Sequence, residues 1–300
     1  MTRRPIRTPT TTTSSPPVAP PANASTMRLQ RFLAQAGFGS RRKCEEYVVS
    51  GRISLDGEPV DKLGVRVDPE TQKVRLDGEL VRLEPKRYYL LNKPAGYLCT
   101  HLDPQGRPRA IDLVPFDGPR LFTVGRLDEN SRGLLLVTND GELANRLAHP
   151  RYRVERRYEL QVAGKPTRET LQALTRGLHF TEGRFRIGGY RRRKTQGKST
   201  ILEVTLTEGR NREIRRLFSR VGHKVLKLTR IGFGPLRLGK LREGEHRRLS
   251  DRELKSLKAL LEPAGKSRTP SRPKRRGGKP GPGKPKAGKP KRRRRPSSVS

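Results

Sequence analysis

Both ends of this 300-residue chain lack the side chains needed to build a core, which confines any fold to its middle. Residues 1–26 are low-complexity Thr, Ser and Pro, and residues 263–300 repeat Gly-Lys-Pro before ending near the run Arg292 to Arg295. Neither stretch can bury enough apolar surface to offset its chain entropy. Both are therefore expected to be disordered, and the folded part is expected over residues 27–262. The hydrophobic share of the whole chain, 31%, is low for a globular protein because of these ends.

Charge narrows the partner. The formal net charge is +39; the ends contribute 3 and 15 basic residues and no acid, so +21 remains on residues 27–262. A basic tail alone could be a solubility device, but a basic core with a basic tail implies a polyanion, and nucleic acid fits better than an anionic membrane surface. No apolar run approaches the roughly 20 residues that span a bilayer. The N-terminus has no apolar segment of the signal-peptide kind. Its acid-free Arg, Ser and Thr content suggests a transit peptide, but Pro16, Pro17, Pro20 and Pro21 break the amphipathic helix such a peptide needs. The two cysteines, Cys44 and Cys99, form neither a disulfide framework nor a metal-spaced Cys/His cluster, which points to a reducing compartment and no metal.

Two textures divide the foldable part. Over residues 27–85, Leu29, Phe32, Leu33 and Ala36 recur at helical spacing up to Gly37. Ser40 is placed to N-cap a second helix carrying Cys44, Tyr47 and Val48, with Gly51 at its end. A hairpin turns at Asp56-Gly57. The first turn of the second helix carries Arg41, Arg42 and Lys43, a cationic rim. Over residues 86–262, strands are predicted at Tyr88–Asn92, Leu121–Gly125, Leu134–Thr138, Tyr158–Ala163, Thr200–Leu206 and Lys224–Ile231. Helices are predicted after Asp140, after Thr167, after Asn211, and after Ser250, where Ser250-x-x-Glu253 reads as a capping box. Strands and helices do not alternate strictly, so the fold class is α+β with a mixed, mainly antiparallel sheet.

The segment that can carry chemistry runs from Gly125 to Gly141. It reads as a strand end, a polar loop bracketed by Gly125 and Gly133, and an apolar strand. Such a loop holds the Asp128 carboxylate at a sheet edge, where a ligand can approach. On the residues alone, an Asp in such a loop is by default a turn former. On the helix after Asn211, Ile214, Leu217, Phe218 and Val221 make an apolar stripe. Arg215 falls on its flank, and Arg212, Arg216 and Arg220 fall toward the outer face. A flanking Arg can bury its stem and send its head into a cleft; on the residues alone a solvated surface Arg is the other reading. His149, at a helix end before Pro150, reads as a charge complementing the helix C-terminus.

Longer strings add a resemblance. Leu29-x-x-Phe32-Leu33-Ala34-x-Ala36-Gly37, then Ser40-Arg41-Arg42 and Gly51-Arg52-Ile53, then Asp56-Gly57-Glu58-Pro59-Val60, resemble an S4 RNA-binding domain. The run from Gly125-Arg126-Leu127-Asp128-x-Asn130 through Gly133-Leu134-Leu135-Leu136-x-Thr138-Asn139-Asp140-Gly141 to His149-Pro150 resembles the central motif of the RsuA/RluB branch of pseudouridine synthases. Asn92-Lys93-Pro94-x-Gly96 resembles that family's first motif, and Glu208 to Leu217 its third. The resemblance implies an S4 domain followed by a pseudouridine synthase domain. It also implies isomerisation of a uridine in structured ribosomal RNA, large-subunit by the wording of the central motif, by a monomeric cytoplasmic enzyme with no cofactor. By position, Asp128 matches the catalytic aspartate, Tyr158 the tyrosine that packs on the base, and Arg215 the basic residue paired with the aspartate. Tyr152, six residues earlier, is off the motif position, and strand periodicity alone would not exclude it. The implied RNA contacts are Arg31, Arg41, Arg42, Lys43 and Arg52 in the small domain, and Lys93, Arg126, Arg132, Arg212 and Arg216 in the large one. For Lys93, Arg126 and Arg132, plain surface charge is the other reading. A non-catalytic RNA-binding or ribosome-assembly protein that keeps only the fold is the alternative for the whole chain.

Overall fold

The computed structural model describes residues 26–262, apart from residues 116, 117 and 119. The terminal stretches 1–25 and 263–300, expected to be disordered, lie outside the described residues.

The first part is built as its pattern indicates. Helices Leu29–Gln35 (α1) and Arg41–Val49 (α2) pack together, and Ser40 Oγ accepts the Lys43 N–H at 3.2 Å as an N-cap. Strands Ile53–Leu55 and Glu58–Val60 meet at Asp56 and Gly57, both at positive φ, as a two-residue hairpin turn requires. Strands Val74–Leu76 and Glu79–Leu80 complete a four-stranded sheet. Leu29, Phe32, Leu33, Cys44, Val48, Ile53 and Val74 close over one apolar cluster of their own. Burial pushes the Cys44 thiol up to about 11, so it acts as a small apolar side chain.

The second part is organised by one nine-stranded sheet. Its main strands are Tyr88–Lys93 (β1), Arg132–Thr138 (β2), Arg156–Ala163 (β3), Gly189–Gln196 (β4), Ser199–Leu206 (β5), Val225–Phe233 (β6) and His246–Arg248 (β7). They lie in the order β4-β5-β3-β6-β2-β1-β7, with Phe122–Thr123 beside β2 and Leu236–Arg237 beside β6. Every pairing is antiparallel except β6 with β2, so the sheet is mixed and mainly antiparallel, as expected.

Helices cover both faces. Leu171 and Leu174 of Arg168–Arg176 (α4), with Ile214, Leu217 and Phe218 of Glu213–Arg220 (α5), pack on one cluster with Leu91, Leu135, Val137, Tyr158 and Leu160. Leu143 and Leu147 of Gly141–Ala148 (α3) and Leu257 of Asp251–Leu260 (α6) pack on the other with Leu90, Leu134 and Leu136. This explains why β2 reads as an unbroken apolar run: both of its faces are covered. The capping box at Ser250 and Glu253 is present.

The elements differ from the expected ones in two places. The strand predicted at Leu121–Gly125 is only Phe122–Thr123. β4, Gly-Tyr-Arg-Arg-Arg-Lys-Thr-Gln, was not predicted because an exposed edge strand needs no apolar alternation. His149 is the C-cap of α3, at the helix end expected of it. Its Nδ1 accepts the Arg151 N–H at 3.2 Å and so starts the short 3₁₀ turn Pro150–Tyr152.

Two contacts set the loop between Gly125 and Gly133. Lys93, expected at the surface as a phosphate contact, is fully buried at the end of β1. Its Nζ donates to the carbonyls of Pro94 (2.9 Å), Asp128 (3.2 Å), Glu129 (3.0 Å) and Ser131 (2.8 Å). Three ammonium protons are thus shared among four oxygens, three of them on the loop. Burial pushes its pKa below the ordinary lysine value. Gly96 N–H adds a bond to the Glu129 carbonyl (2.9 Å), and Ser131 N–H closes the turn onto the Asp128 carbonyl (3.0 Å). At the far end of the loop, Gly133 has φ +104°, and a Cβ there would lie 2.3 Å from the Arg230 carbonyl oxygen on β6.

Two outcomes follow for these positions. Gly133→Ala must push β2 and β6 apart and strain a left-handed residue, and is expected to destabilise by about 3 kcal/mol or more. Thermal denaturation checks this; an unchanged melting temperature would contradict the close approach. Lys93→Met removes a charged donor from four carbonyls and is expected to lower stability by about 2–4 kcal/mol. Its turnover should also fall at temperatures where it stays folded, and full activity in a folded Lys93→Met protein would mean that the loop is held by something else.

Candidate active site

The sheet supplies a floor and two loops supply the rim. β3 alternates, with Arg156, Tyr158, Leu160 and Val162 buried on one face. Tyr158 stands opposite Arg230 of β6 in the pairing register. Above them the 125–133 loop and the segment Glu208–Arg212 close a cleft of about 490 Å³, a volume typical of small-ligand sites. Asp128, Tyr158, Arg212, Arg156 and Arg230 all line it. The Asp128 side chain is 26% exposed, so its carboxylate is at the rim, reachable but not free in solvent.

The cation beside that carboxylate differs from the expected one. Arg212 Nη1 is 3.8 Å from Asp128 Oδ2. Arg212 was expected on the outer face of the helix, but it precedes α5 with φ +47°, which takes it off the helical wheel. Arg215, expected to pair with Asp128, is instead half-buried and donates to the carbonyls of Val225 (3.0 Å) and Asn130 (3.3 Å). It thereby ties α5 to the loop two residues past Asp128. Burial and the charge of Arg212 both lower the Arg215 pKa, and the charge of Asp128 opposes them. The three groups therefore share one electrostatic neighbourhood although only Arg212 is within ion-pair distance. Tyr152 lies in the 3₁₀ turn, beneath the guanidinium groups of Arg146 and Arg151, and does not line the cleft.

The remaining predicted RNA contacts divide. Arg41 and Arg42 are exposed on α2, and Arg126 is exposed at the cleft rim. Others are held in surface pairs: Arg31 with Glu142 (2.6 Å), Lys43 with Glu46 (2.7 Å), Arg52 with Asp77, Arg132 with Glu243 (2.8 Å) and Arg216 with Glu182 (2.8 Å). Exposed pairs of this kind hold by only about 0–1 kcal/mol, so a phosphate can compete for the cation. Arg31 with Glu142 joins α1 to α3, the two parts of the molecule. Arg216 also lies over the Phe180 and Phe185 rings, which fixes its stem.

Sequence reasoning missed Arg156, Arg230 and Glu213. The first two are 8% and 2% exposed on the floor of the cleft, and Glu213 is 3% exposed at the start of α5. The period-2 alternation Arg156-Tyr158-Leu160-Val162 carried a signal for Arg156: any strand that points Tyr158 into a site points Arg156 there as well.

Comparisons with known proteins agree with this architecture. The family model for RNA pseudouridylate synthase matches residues 87–220, and that for the S4 domain matches residues 27–73. An RNA pseudouridine synthase of Aquifex aeolicus is 44% identical over 233 residues, covering 77% of this chain and 93% of that one. The ribosomal large subunit pseudouridine synthase B of Bacillus subtilis is 39% identical over 237 residues, covering 78% and 97%. A solved pseudouridylate synthase crystal structure is 27% identical, with a TM-score of 0.54 over 77% of this chain and 99% of its own. A loop carrying one rim carboxylate, a tyrosine on the floor and arginines about both are thus set in a chain that belongs to the RNA pseudouridylate synthase family, with an S4 domain ahead of the synthase part.

Proposed function

We propose that this enzyme converts a uridine of large-subunit ribosomal RNA to pseudouridine, with Asp128 as the catalytic carboxylate. The observation that carries this reading is the shared cleft of Asp128 and Tyr158, with Arg212 at 3.8 Å from the carboxylate. The names of the Bacillus subtilis and Yersinia pestis relatives, both ribosomal large subunit pseudouridine synthase B, support the choice of RNA.

The target nucleotide leaves its stack and enters the cleft base first. Tyr158 packs on the uracil. Asp128 acts at the sugar as the C1′–N1 bond breaks, either attacking C1′ or taking a sugar proton. A carboxylate suits both roles, since it is a nucleophile that needs no separate base and it stabilises positive character at the sugar. Arg212 holds the carboxylate electrostatically, and Arg215 acts through the Asn130 carbonyl as a positioning residue. The exposed Arg41, Arg42 and Arg126, together with the loosely paired Arg31, Lys43, Arg52, Arg132 and Arg216, meet phosphates. The RNA is bound by a monomer in the cytoplasm, as the ribosomal RNA named for the relatives suggests.

Tritium release from C5-labelled uridine in ribosomal RNA transcripts tests the reading directly. Asp128→Asn should abolish release while RNA affinity stays within about threefold, since only a transition-state interaction is lost. Release by Asp128→Asn at the wild-type rate would remove Asp128 from the chemistry, and no release by the wild type would leave a binding protein. Arg212→Ala, which removes a partly exposed ion pair, should slow turnover roughly tenfold. Arg215→Ala should slow turnover by at least as much without a matching loss of binding. An unchanged rate in either variant would take that arginine out of the site.

A further inference from the structure

Two arginines are buried side by side beneath the cleft without an acidic partner. Arg156 is 8% exposed and Arg230 2%, and both guanidinium groups lie against the Phe233 ring, at 5.6 and 5.3 Å from its centroid. Among the described residues, neither has a carboxylate within 4 Å. Their hydrogen bonds to the protein engage one nitrogen each. Arg156 Nη1 donates to the carbonyls of Val154, Thr207 and Glu208 at 3.3, 3.5 and 3.3 Å, and Arg230 Nε donates to the Leu134 carbonyl at 2.7 Å. A guanidinium carries five N–H donors, so most of this donor capacity faces the cavity that both residues line.

Burying one uncompensated cation is expensive, and burying two together more so. Glu213, buried at the start of α5 and also lining the cleft, is engaged by the Arg210 N–H, whose bond it accepts at 3.2 Å. Burial raises the Glu213 pKa, and the charges of Arg210 and Arg156 oppose that rise. An arrangement of this kind is complementary to an electron-rich group that arrives with the ligand.

The geometry identifies which group. Arg230 faces Tyr158 across the β3–β6 pairing, and Arg156 is two residues from Tyr158 on the same face of β3. All three are more enclosed than Asp128, which is at the rim. A nucleotide that presents its sugar to Asp128 points its base inward, and its phosphates remain outside with the rim cations. We propose that Arg156 and Arg230 are the base-recognition floor: their guanidinium groups take the carbonyl oxygens of the flipped uracil and stabilise the negative charge on the ring while it is detached.

The electron count agrees. Breaking C1′–N1 leaves the bonding pair on the ring, spread over N1, O2 and O4. Forming C1′–C5 returns it, after which the C5 proton leaves and N1 gains one, so the net change is an isomerisation. Two preorganised cations next to O2 and O4 act most strongly in the detached state, where the charge has developed. The inference rests on the reading given under Proposed function.

The test uses the full chain, single-turnover tritium release and RNA binding. Arg156→Lys and Arg230→Lys should each slow the single-turnover step by about 100-fold with affinity nearly unchanged. Transcripts made with 2-thiouridine or 4-thiouridine, whose sulfur is a poor acceptor, should be converted at least tenfold more slowly by the wild type, as measured by nucleoside analysis. That penalty should shrink toward unity in the lysine variants. Unchanged rates in the variants, or weaker binding with a shallower salt slope at an unchanged rate, would overturn the proposal; the second result would mean a phosphate grip. If the lysine variants fail to fold, the wild type decides alone, because no penalty at either thio position overturns the proposal. A wild type that releases no tritium sinks this inference and the functional reading together, whereas an active wild type with unaffected variants sinks this inference alone.

Discussion

A single buried ammonium group holds the loop that carries the candidate site's carboxylate. Lys93 is shared among four backbone carbonyls, three of them in the loop that carries Asp128. Leu127, buried in the core, is the one apolar anchor of this six-residue loop, so the shape of the rest must come from hydrogen bonds. A charged donor inside a low-dielectric site makes those bonds stronger than neutral ones would be. The sheet provides the position: β1 runs beside β2, and Lys93 is the register partner of Gly133, where the loop rejoins the sheet. The loop is therefore pinned at its exit by Gly133 and from beneath by Lys93, and its side chains are left free to face the cleft.

The electrostatics of the site form a gradient from outside to inside. Arg126 is exposed at the rim, and loosely held ion pairs lie elsewhere on the surface, where a phosphate can displace a carboxylate at small cost. Arg212 and Arg215 come next, one at the carboxylate and one on the loop backbone. Arg156 and Arg230 lie deepest, without an acid beside them. A basic chain in general attracts RNA; the graded set of cations around one carboxylate adds the orientation that the proposed reaction requires.

Much of this was legible in the sequence because it follows from spacing. The apolar recurrence in α1, the Ser40 and Ser250 caps, the Asp56-Gly57 turn and the unbroken apolar run of β2 all encode local physics that tertiary contacts did not override. Asp128 and Tyr158 are singled out by the resemblance of their motifs, because the loop alone reads as a turn and strand alternation alone does not choose between Tyr158 and Tyr152. What could not be read was the environment of charged residues. Lys93 looks like any surface lysine until the strand is found to end inside the protein. Arg212, and not Arg215, lies within ion-pair distance of Asp128 because a left-handed residue at Arg212 starts the helix one step later than counting from Asn211 assumes. β4 escaped notice because its exposed edge carries charge where a covered strand would carry alternating apolar residues.

That edge has a further consequence for the behaviour of the molecule in solution. Strand β4 ends the sheet with a row of backbone donors and acceptors that a second copy could extend. Successive Arg191, Arg192, Arg193 and Lys194 line it. Two such edges brought to strand spacing, about 4.8 Å, would set like charges against each other along their length. The cationic edge thus works as a guard against self-templated polymerisation, and its protection is weakest where dense polyanion screens it.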